Sequence, residues 1–244
     1  MNGRKALVTG SSRGIGRAIA IALAQDCDEV FVHCAGNREA AGEVQSVIES
    51  NGGKATIVQG DLTDLSSAKR IYEETGDVDI LVLNVSVQIR RPWREITSEE
   101  AQQQINSNFL STMLLIQLYE PYMRLNKWGR IVAIGSVQEK KPHPDMLIYS
   151  SMKAAQTKMV ESLALQLAGA GITVNSVAPG VIYTDRNKAV LADEEYAKKV
   201  TASIPMGYYG MPEDCAGIVR LLCSEEGRYI TGQSIYVDGG KSIQ

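Results

Sequence analysis

Short apolar runs that alternate with segments of helical periodicity are the feature that most constrains the fold of this chain. Ala6-Leu7-Val8, Val30-Phe31-Val32 and Ile80-Leu81-Val82-Leu83 are examples. Each run is almost continuously apolar, which is typical of a strand buried on both faces of a parallel sheet. Helices between such strands cover the sheet on both sides. The pattern therefore predicts an α/β fold with a doubly wound parallel sheet of about seven strands.

The other predicted elements complete this alternation along the chain. The remaining strand candidates are 55–58, 131–134, 172–174 and 234–237, and the helix candidates are 15–23, 38–49, 65–74, 105–125, 149–167 and 212–223. We expect one continuous helix through 105–125. No stretch rich in Pro, Ser or Gly divides the 244 residues, so residues 1–244 are predicted to form a single domain that contains its own substrate site.

Composition and charge exclude several classes of function. The net charge of −3 and the pI near 5.6 give no basic footprint of the kind that nucleic-acid binding leaves. No apolar run approaches the roughly 18 residues that span a bilayer, and the first residues enter a strand without a signal-peptide pattern. The four cysteines form no CxxC pair, and neither histidine has ligand-like neighbours. We therefore expect a cytoplasmic protein with buried free thiols and no metal site.

A glycine-rich turn lies between the first strand and the first helix. Residues 9–16 read Thr-Gly-Ser-Ser-Arg-Gly-Ile-Gly, so Gly10, Gly14 and Gly16 follow a strand and open a helix. A turn without Cβ atoms lets backbone N–H groups and the helix N-terminus approach a pyrophosphate. The motif predicts a dinucleotide site at this turn.

The end of the second strand indicates which dinucleotide binds. An NAD site usually has an acidic residue about 20 residues after the turn, bonded to the ribose 2′-hydroxyl. Here residues 33–38 read His-Cys-Ala-Gly-Asn-Arg and contain no carboxylate. Arg13, Asn37 and Arg38 offer the cations and neutral donors that suit a 2′-phosphate. The sequence favours NADP, and NAD remains possible.

An acid/base pair is predicted on the helix that follows the fifth strand. Tyr149 and Lys153 lie four residues apart and therefore share one face of that helix. A phenol titrates near 10, and an ammonium beside it favours the phenolate, which brings proton exchange closer to neutral pH. Ser136 follows the fifth strand at the sheet edge where such folds bind ligands, and it can donate to an oxygen as negative charge develops.

These motifs resemble the short-chain dehydrogenase/reductase family, from the glycine turn to Val237-Asp238-Gly239-Gly240. The resemblance implies a Rossmann fold and an oxidoreductase that interconverts a ketone and a secondary alcohol by hydride transfer. It implies Ser136, Tyr149 and Lys153 as catalytic residues, together with Asn108, which supports a proton-relaying water. The predicted cofactor-binding residues are Gly10, Ser12, Arg13, Gly14, Ile15, Gly16, Asn37, Arg38, Asp61, Leu62, Asn84, Tyr149, Lys153, Pro179, Gly180, Ile182 and Thr184.

One departure from the family pattern lies after the fourth strand. Ser86 in Leu83-Asn84-Val85-Ser86 replaces a glycine that the family often has there. The change predicts a lower cofactor affinity or a slightly shifted loop.

The substrate is predicted from the loops around the cleft. Residues 88–93 and 137–147 are expected to line it, with a lid at 185–205. Arg90, Arg91, Lys140, Lys141 and His143 make these loops basic, which suits a carboxylated or phosphorylated substrate, and a solvated rim explains them equally well. Ile89-Arg90-Arg91-Pro92 resembles the same loop in gluconate- and deoxygluconate-type dehydrogenases. It favours a sugar acid or another polar carbonyl compound.

Two other functions stay open. A 3-oxoacyl-acyl-carrier-protein reductase needs a basic surface for its acidic partner, and Arg124, Lys127 and Arg130 could contribute to one. A non-catalytic dinucleotide-binding sensor or scaffold would commonly lose the tyrosine or the lysine, and this chain keeps both. The resemblance also implies a homotetramer built through helices 105–125 and 149–167 and the C-terminal strand.

Overall fold

The computed structural model describes residue 1 and residues 3–244, apart from the side chains of residues 189–191. Within this part, seven parallel strands form one sheet in the order β3-β2-β1-β4-β5-β6-β7. The strands are β1 (Lys5–Val8), β2 (Glu29–Cys34), β3 (Ala55–Gln59), β4 (Ile80–Leu83), β5 (Gly129–Ile134), β6 (Ile172–Pro179) and β7 (Ser234–Val237). All seven coincide with or extend the predicted runs, so the doubly wound sheet is confirmed.

Helices cover both faces of the sheet and enclose two apolar cores. They are α1 (Gly14–Leu23), α2 (Arg38–Ser50), α3 (Ser67–Thr75), α4 (Ser98–Ile105), α5 (Ser111–Leu125), α6 (Leu147–Leu167), α7 (Asp185–Leu191), α8 (Glu194–Ala202) and α9 (Pro212–Cys223). Alternate strand residues serve the two faces: Ala6 and Val8 pack with α1, α2 and α9, whereas Leu7 packs with α3, α5 and α6. Because both faces of the sheet are buried, the strands do not alternate between apolar and polar residues.

The strand order reverses between β1 and β4, which are neighbours in the sheet. The loops that follow these two strands therefore leave in opposite directions, and a crevice opens at the carboxyl edge of the sheet. The glycine turn after β1 and the loop after β4 form its walls.

The prediction of one continuous helix through 105–125 is wrong. Helix α4 already begins at Ser98, where Thr97 and Glu100 form a capping box, and a π-helical segment, Asn106–Leu110, separates it from α5. Side chains of this segment bond to distant loops: Asn106 donates to the carbonyl of Thr63 and Asn108 to that of Val87. Such tertiary bonds select a wide turn that residue spacing alone does not predict.

The segment expected as a lid contains the two helices α7 and α8. The side chains of residues 189–191 within it lie outside the described part, and its role as a lid stays a prediction. No described helix has both the length and the apolar character needed to cross a bilayer. All four cysteines are buried free thiols, as the sequence predicts.

Candidate active site

A cavity of about 550 Å³ lies at the carboxyl edge of the sheet. Loops after β1, β2, β3, β4, β5 and β6 line it, together with residues of α6, α7 and α8. The predicted site residues found in its wall are Gly10, Ser12, Arg13, Gly14, Ile15, Asn37, Asp61, Leu62, Asn84, Ser136, Tyr149, Lys153, Pro179, Gly180, Ile182 and Thr184. Gly16, Arg38 and Asn108 lie outside the wall.

The glycine turn has the geometry that a pyrophosphate requires. Gly10 has a φ of +64° and Gly14 one of +56°, a region that side chains with a Cβ rarely occupy. A Cβ at Gly16 would lie 2.4 Å from the Gly10 carbonyl oxygen, so Gly16 serves packing beneath the turn. Helix α1 has no side-chain cap and no acidic residue in its first turn. Its free N–H groups and positive dipole end therefore suit an anion.

Asn84 holds the turn in place from the neighbouring strand end. Its side-chain amide donates to the carbonyl oxygens of Thr9 and Gly10, each at 3.0 Å. The hydroxyl of Thr9 accepts from the main-chain N–H of Asn84 in return. The site residue predicted after β4 thus supports the phosphate turn as well as lining the cavity.

His33 is a site residue that the sequence analysis missed. It is fully buried at the end of β2, where Nδ1 accepts from the Gly10 N–H and Nε2 lies 2.9 Å from the Gly60 carbonyl oxygen. These two partners require a neutral imidazole with the proton on Nε2. Burial lowers the pKa of His33 to about 4, so the turn stays fixed at neutral pH.

The end of β2 fits a 2′-phosphate better than a 2′-hydroxyl. Residues 34–36, which all line the cavity, carry no carboxylate. Asn37 caps α2 by accepting from the Ala40 N–H at 3.0 Å, and its side chain and Arg13 are both exposed to the cavity edge. The helix N-terminus and the guanidinium therefore offer positive potential to this edge.

Lys153 is a buried ammonium beside Tyr149. Its Nζ lies 5.8 Å from the tyrosine ring centre and donates to the Ile134 carbonyl oxygen at 2.7 Å. Burial lowers the pKa of Lys153 to about 7, the Arg186 guanidinium lowers it as well, and the Glu139 carboxylate opposes both. A lysine in this range changes charge easily, which is typical of functional sites.

Ser136 lies between the end of β5 and the 3₁₀ turn Val137–Glu139. Its Oγ accepts from the Gln138 N–H at 3.2 Å and stays in the cavity wall near Tyr149. The hydroxyl hydrogen remains free to donate to a ligand oxygen. The structure therefore brings Ser136, Tyr149 and Lys153 to one cavity, as the sequence predicts.

Gln156 connects Asn108 to Lys153. Its Oε1 accepts from Lys153 Nζ at 3.2 Å, and its Nε2 donates to the main-chain oxygen of Asn108 and to Thr112 Oγ1. Asn108 itself is buried, and its side chain donates to the carbonyls of Val87 and Gln104. Asn108 thus lies behind the wall and contacts Gln156 through its main-chain oxygen. The sequence analysis missed Gln156, because polar residues recur along α6 and nothing in the residue pattern distinguishes Gln156 from Thr157 and Lys158 beside it.

The basic groups of the cavity differ from those expected. Of the five basic loop residues only Arg90 lies in the wall, where Arg186 and Lys241 join it. The other four lie outside the wall, which agrees with the alternative of a solvated rim: Arg91, Lys140 and Lys141 are exposed and His143 is half-buried. Arg91 pairs with Glu100, Lys140 lies over the Tyr236 ring, Lys141 donates to the Gln244 carbonyl, and the His143 Nδ1 accepts from the Asp145 N–H.

Ser86 makes a contact that a glycine could not complete. One guanidinium nitrogen of Arg186 donates to both the carbonyl oxygen and the Oγ of Ser86, each at 3.0 Å. The residues are 100 positions apart and connect α7 with the loop after β4. The serine thus fixes a cation at the cavity wall.

The chain is similar in sequence to known proteins. A family model described as enoyl-(acyl carrier protein) reductase matches residues 10–242. The 3-oxoacyl-[acyl-carrier-protein] reductase of Staphylococcus aureus is 34% identical over 241 residues, which cover 97% of each chain.

Solved structures agree with the fold. One is named as a candidate NAD(P)-dependent gluconate 5-dehydrogenase of Beutenbergia cavernae with NADP bound. It is 34% identical, covers 100% of this chain and 98% of its own, and has a TM-score of 0.95. A 3-oxoacyl-(acyl-carrier-protein) reductase of Agrobacterium tumefaciens with NADP bound is 37% identical, with coverages of 98% and 94% and a TM-score of 0.92.

Proposed function

The chain belongs to the short-chain dehydrogenase/reductase family, and from that premise we propose that it is an NADP-dependent oxidoreductase. It interconverts a ketone and a secondary alcohol, and its substrate is a sugar acid or another polar carbonyl compound. The observation that carries the proposal is the meeting of Tyr149, Lys153 and Ser136 in one cavity with an uncapped helix N-terminus at a glycine turn. The turn suits a dinucleotide phosphate, and the three side chains suit a carbonyl group.

NADP, when bound, supplies or accepts the hydride. Its pyrophosphate would be held by the glycine turn and the start of α1, and its 2′-phosphate by Arg13 and the donors near Asn37. Asp61 is proposed to contact the adenine, and Lys153 is proposed to hold the ribose. The NADP-bound relatives support this cofactor.

The side chains of this chain handle the proton. Tyr149 donates its phenol proton to the carbonyl oxygen during reduction, and Ser136 orients that oxygen by a hydrogen bond. Lys153 favours the phenolate that forms, because its ammonium lies on the same helix face. Gln156 and the Ile134 carbonyl hold that ammonium in position. Oxidation of the alcohol reverses each transfer.

The cavity wall supports an anionic substrate. Besides Arg13 and Lys153, which are assigned to the cofactor, the wall contains the basic residues Arg90, Arg186 and Lys241, whereas its carboxylates are Asp61 and Asp185. A guanidinium binds a carboxylate in a bidentate geometry. Two relatives are named as gluconate dehydrogenases, and gluconate carries the negative charge that these cationic groups would bind.

A 3-oxoacyl-acyl-carrier-protein reductase is the second candidate, favoured by the relatives that carry this name. Of the three residues considered for a basic docking surface, Arg130 is buried and Arg124 pairs with Glu120. Only Lys127 is left unpaired among them in the described part, so a docking surface for an acidic partner would have to lie elsewhere. A non-catalytic sensor would have no need of the Tyr149–Lys153 pair.

The test is oxidation of NADPH, followed by absorbance, with keto-gluconates, simple diketones and an acetoacetyl thioester, and with NADH alongside. We expect turnover on a carboxylated ketone and a higher catalytic efficiency with NADPH than with NADH. Preference for the thioester would establish the second candidate. NADPH binding without turnover on any ketone would overturn the enzymatic proposal.

We further propose that the protein is a cytoplasmic homotetramer. The four buried cysteines form no disulfide with one another, which supports a reducing compartment. Leu125 at the end of α5, Leu165 on α6 and Ile243 near the C-terminus leave apolar side chains exposed, and association would cover them. Light scattering should give four times the mass of the chain, and a stable monomer would contradict it.

A further inference from the structure

Glu139 carries a carboxylate that is bound by three hydroxyl groups. Its Oε1 accepts from Ser234 Oγ at 2.8 Å and from Tyr236 Oη at 2.9 Å, and its Oε2 accepts from Thr157 Oγ1 at 2.8 Å. Burial and this carboxylate raise the pKa of Tyr236 to about 12, so the phenol stays a donor. Among the described residues, no cationic side chain forms an ion pair with Glu139.

The carboxylate contacts α6 at Thr157, one helical turn beyond Lys153. Tyr149, Lys153 and Thr157 follow one another at intervals of four, so they share a face of α6. Glu139 is three residues after Ser136 in the turn packed against that face. A Cβ at Gly135 would lie 2.9 Å from Glu139 Oε2, so the glycine before Ser136 leaves room for the carboxylate.

The hydrogen bonds alone do not require a charge at this position. A hydroxyl can donate or accept, so a glutamine amide could satisfy the same three partners. A half-buried carboxylate without a cationic partner is costly to desolvate. The negative charge can still act at longer range on a group that shares its surroundings.

Lys153 is that group. Its ammonium is almost fully buried and contacts two neutral acceptors, the Ile134 carbonyl and the Gln156 amide. Three ionisable groups face it: Tyr149 on its own helix, Arg186 from α7 and Glu139 from the 3₁₀ turn. The π-helical segment and α4 present neutral amides there, and Lys140 faces Glu139 only across the Tyr236 ring.

We propose that Glu139 is a positioning residue of the Tyr149–Lys153 pair, and that its carboxylate is the internal counter-charge which favours the protonated form of the buried Lys153 side chain. The inference rests on the proposed function, since Lys153 is given there its role in proton transfer and in ribose binding. The three hydroxyls hold the charge at a fixed place, and β7 thereby contributes to the site through Ser234 and Tyr236.

The test is the pH profile of ketone reduction by Glu139→Gln. Removing the negative charge lowers the pKa of Lys153, so the basic limb of kcat/KM should move to lower pH. Thr157→Val removes one hydrogen bond but keeps the charge, and Glu139→Asp keeps the charge on a shorter side chain. The basic limb should stay in place for both.

The affinity for NADPH, measured by fluorescence across the same pH range, is the second readout. Affinity should fall as Lys153 loses its charge, and in Glu139→Gln this fall should begin at lower pH. The binding profile tests the role of Glu139 even when no ketone is turned over. A lack of turnover would contradict the proposed function and not the role of Glu139. If Glu139→Gln does not fold, Glu139→Thr gives the same comparison with another neutral side chain. Unmoved profiles, or an equal loss of activity at every pH, would overturn the counter-charge.

Discussion

Lys153 shows how single residues of the site depend on partners far away in sequence. The interval between Tyr149 and Lys153 predicted their shared helix face, because that relation is local. The partners of the lysine were not predictable in the same way. Gln156 is fixed by Thr112, 44 residues earlier, and Glu139 by Tyr236, 97 residues later. Such contacts depend on how the elements pack, which residue spacing does not encode.

At the same scale, Asn37 tests the choice of cofactor. Asn37→Asp keeps an oxygen that caps α2 and adds a negative charge where a 2′-phosphate is expected. We predict that kcat/KM with NADPH falls by about tenfold or more, because the carboxylate repels the phosphate, and that kcat/KM with NADH rises.

The matched control for this variant is Asn37→Ser, which also caps the helix but carries no charge. It should keep most of the preference for NADPH. An unchanged ratio of the two efficiencies in Asn37→Asp would show that the 2′-phosphate lies away from this residue.

The glycine turn is an element held from both sides. Asn84 bonds to it from the loop after β4, and His33 bonds to it from the end of β2. The turn and the strands could be predicted because strand, glycine spacing and helix are contiguous in sequence. The π-helical segment could not be predicted, since its side chains bond to the loops after β3 and β4.

His33 gives this element a pH dependence. The folded protein holds the imidazole neutral with a pKa of about 4, below the unfolded value of roughly 6.5. The neutral imidazole therefore makes its full contribution to the free energy of unfolding above pH 6.5. About 3 kcal/mol of this contribution is lost as the pH falls from 6.5 through 4. Urea unfolding between pH 4 and pH 7.5 measures the loss.

The control is His33→Leu, which removes the titrating group. This variant should be less stable at neutral pH, and its free energy of unfolding should fall less steeply between pH 6.5 and pH 4. Equal slopes for the two proteins would assign the acid sensitivity to other groups.

The whole molecule separates function from stability across the sheet. The cavity lies at the carboxyl edge, whereas a stacked cluster of Arg4, Trp128 and Arg130 lies at the amino edge. The two guanidiniums lie 4.0 Å and 4.3 Å from the Trp128 ring centre, and the indole N–H donates to Glu225 at 2.6 Å. Arg130 is buried and also bonds to main-chain carbonyls that precede β6 and follow α9.

This separation predicts that Trp128→Ala reduces stability but leaves the site intact. We expect a loss of about 2 kcal/mol in the free energy of unfolding, from lost packing and lost cation–π contacts, with KM for NADPH unchanged. Trp93→Ala is the control for stability, since Trp93 is exposed and its loss should cost little. A large rise in the KM of Trp128→Ala would show that the two edges are coupled.

The central claim, that Tyr149 transfers the proton in an NADP-dependent reduction, is tested most directly by Tyr149→Phe. The variant keeps the ring and loses only the hydroxyl, so the cavity and the cofactor site should keep their shape. Single-turnover NADPH oxidation and NADPH binding are measured for both proteins with the same carboxylated ketone. The structure predicts that the rate falls by about a thousandfold or more while NADPH affinity changes less than about threefold. A variant that retains a substantial part of the wild-type rate would contradict the role of Tyr149 and with it the mechanism.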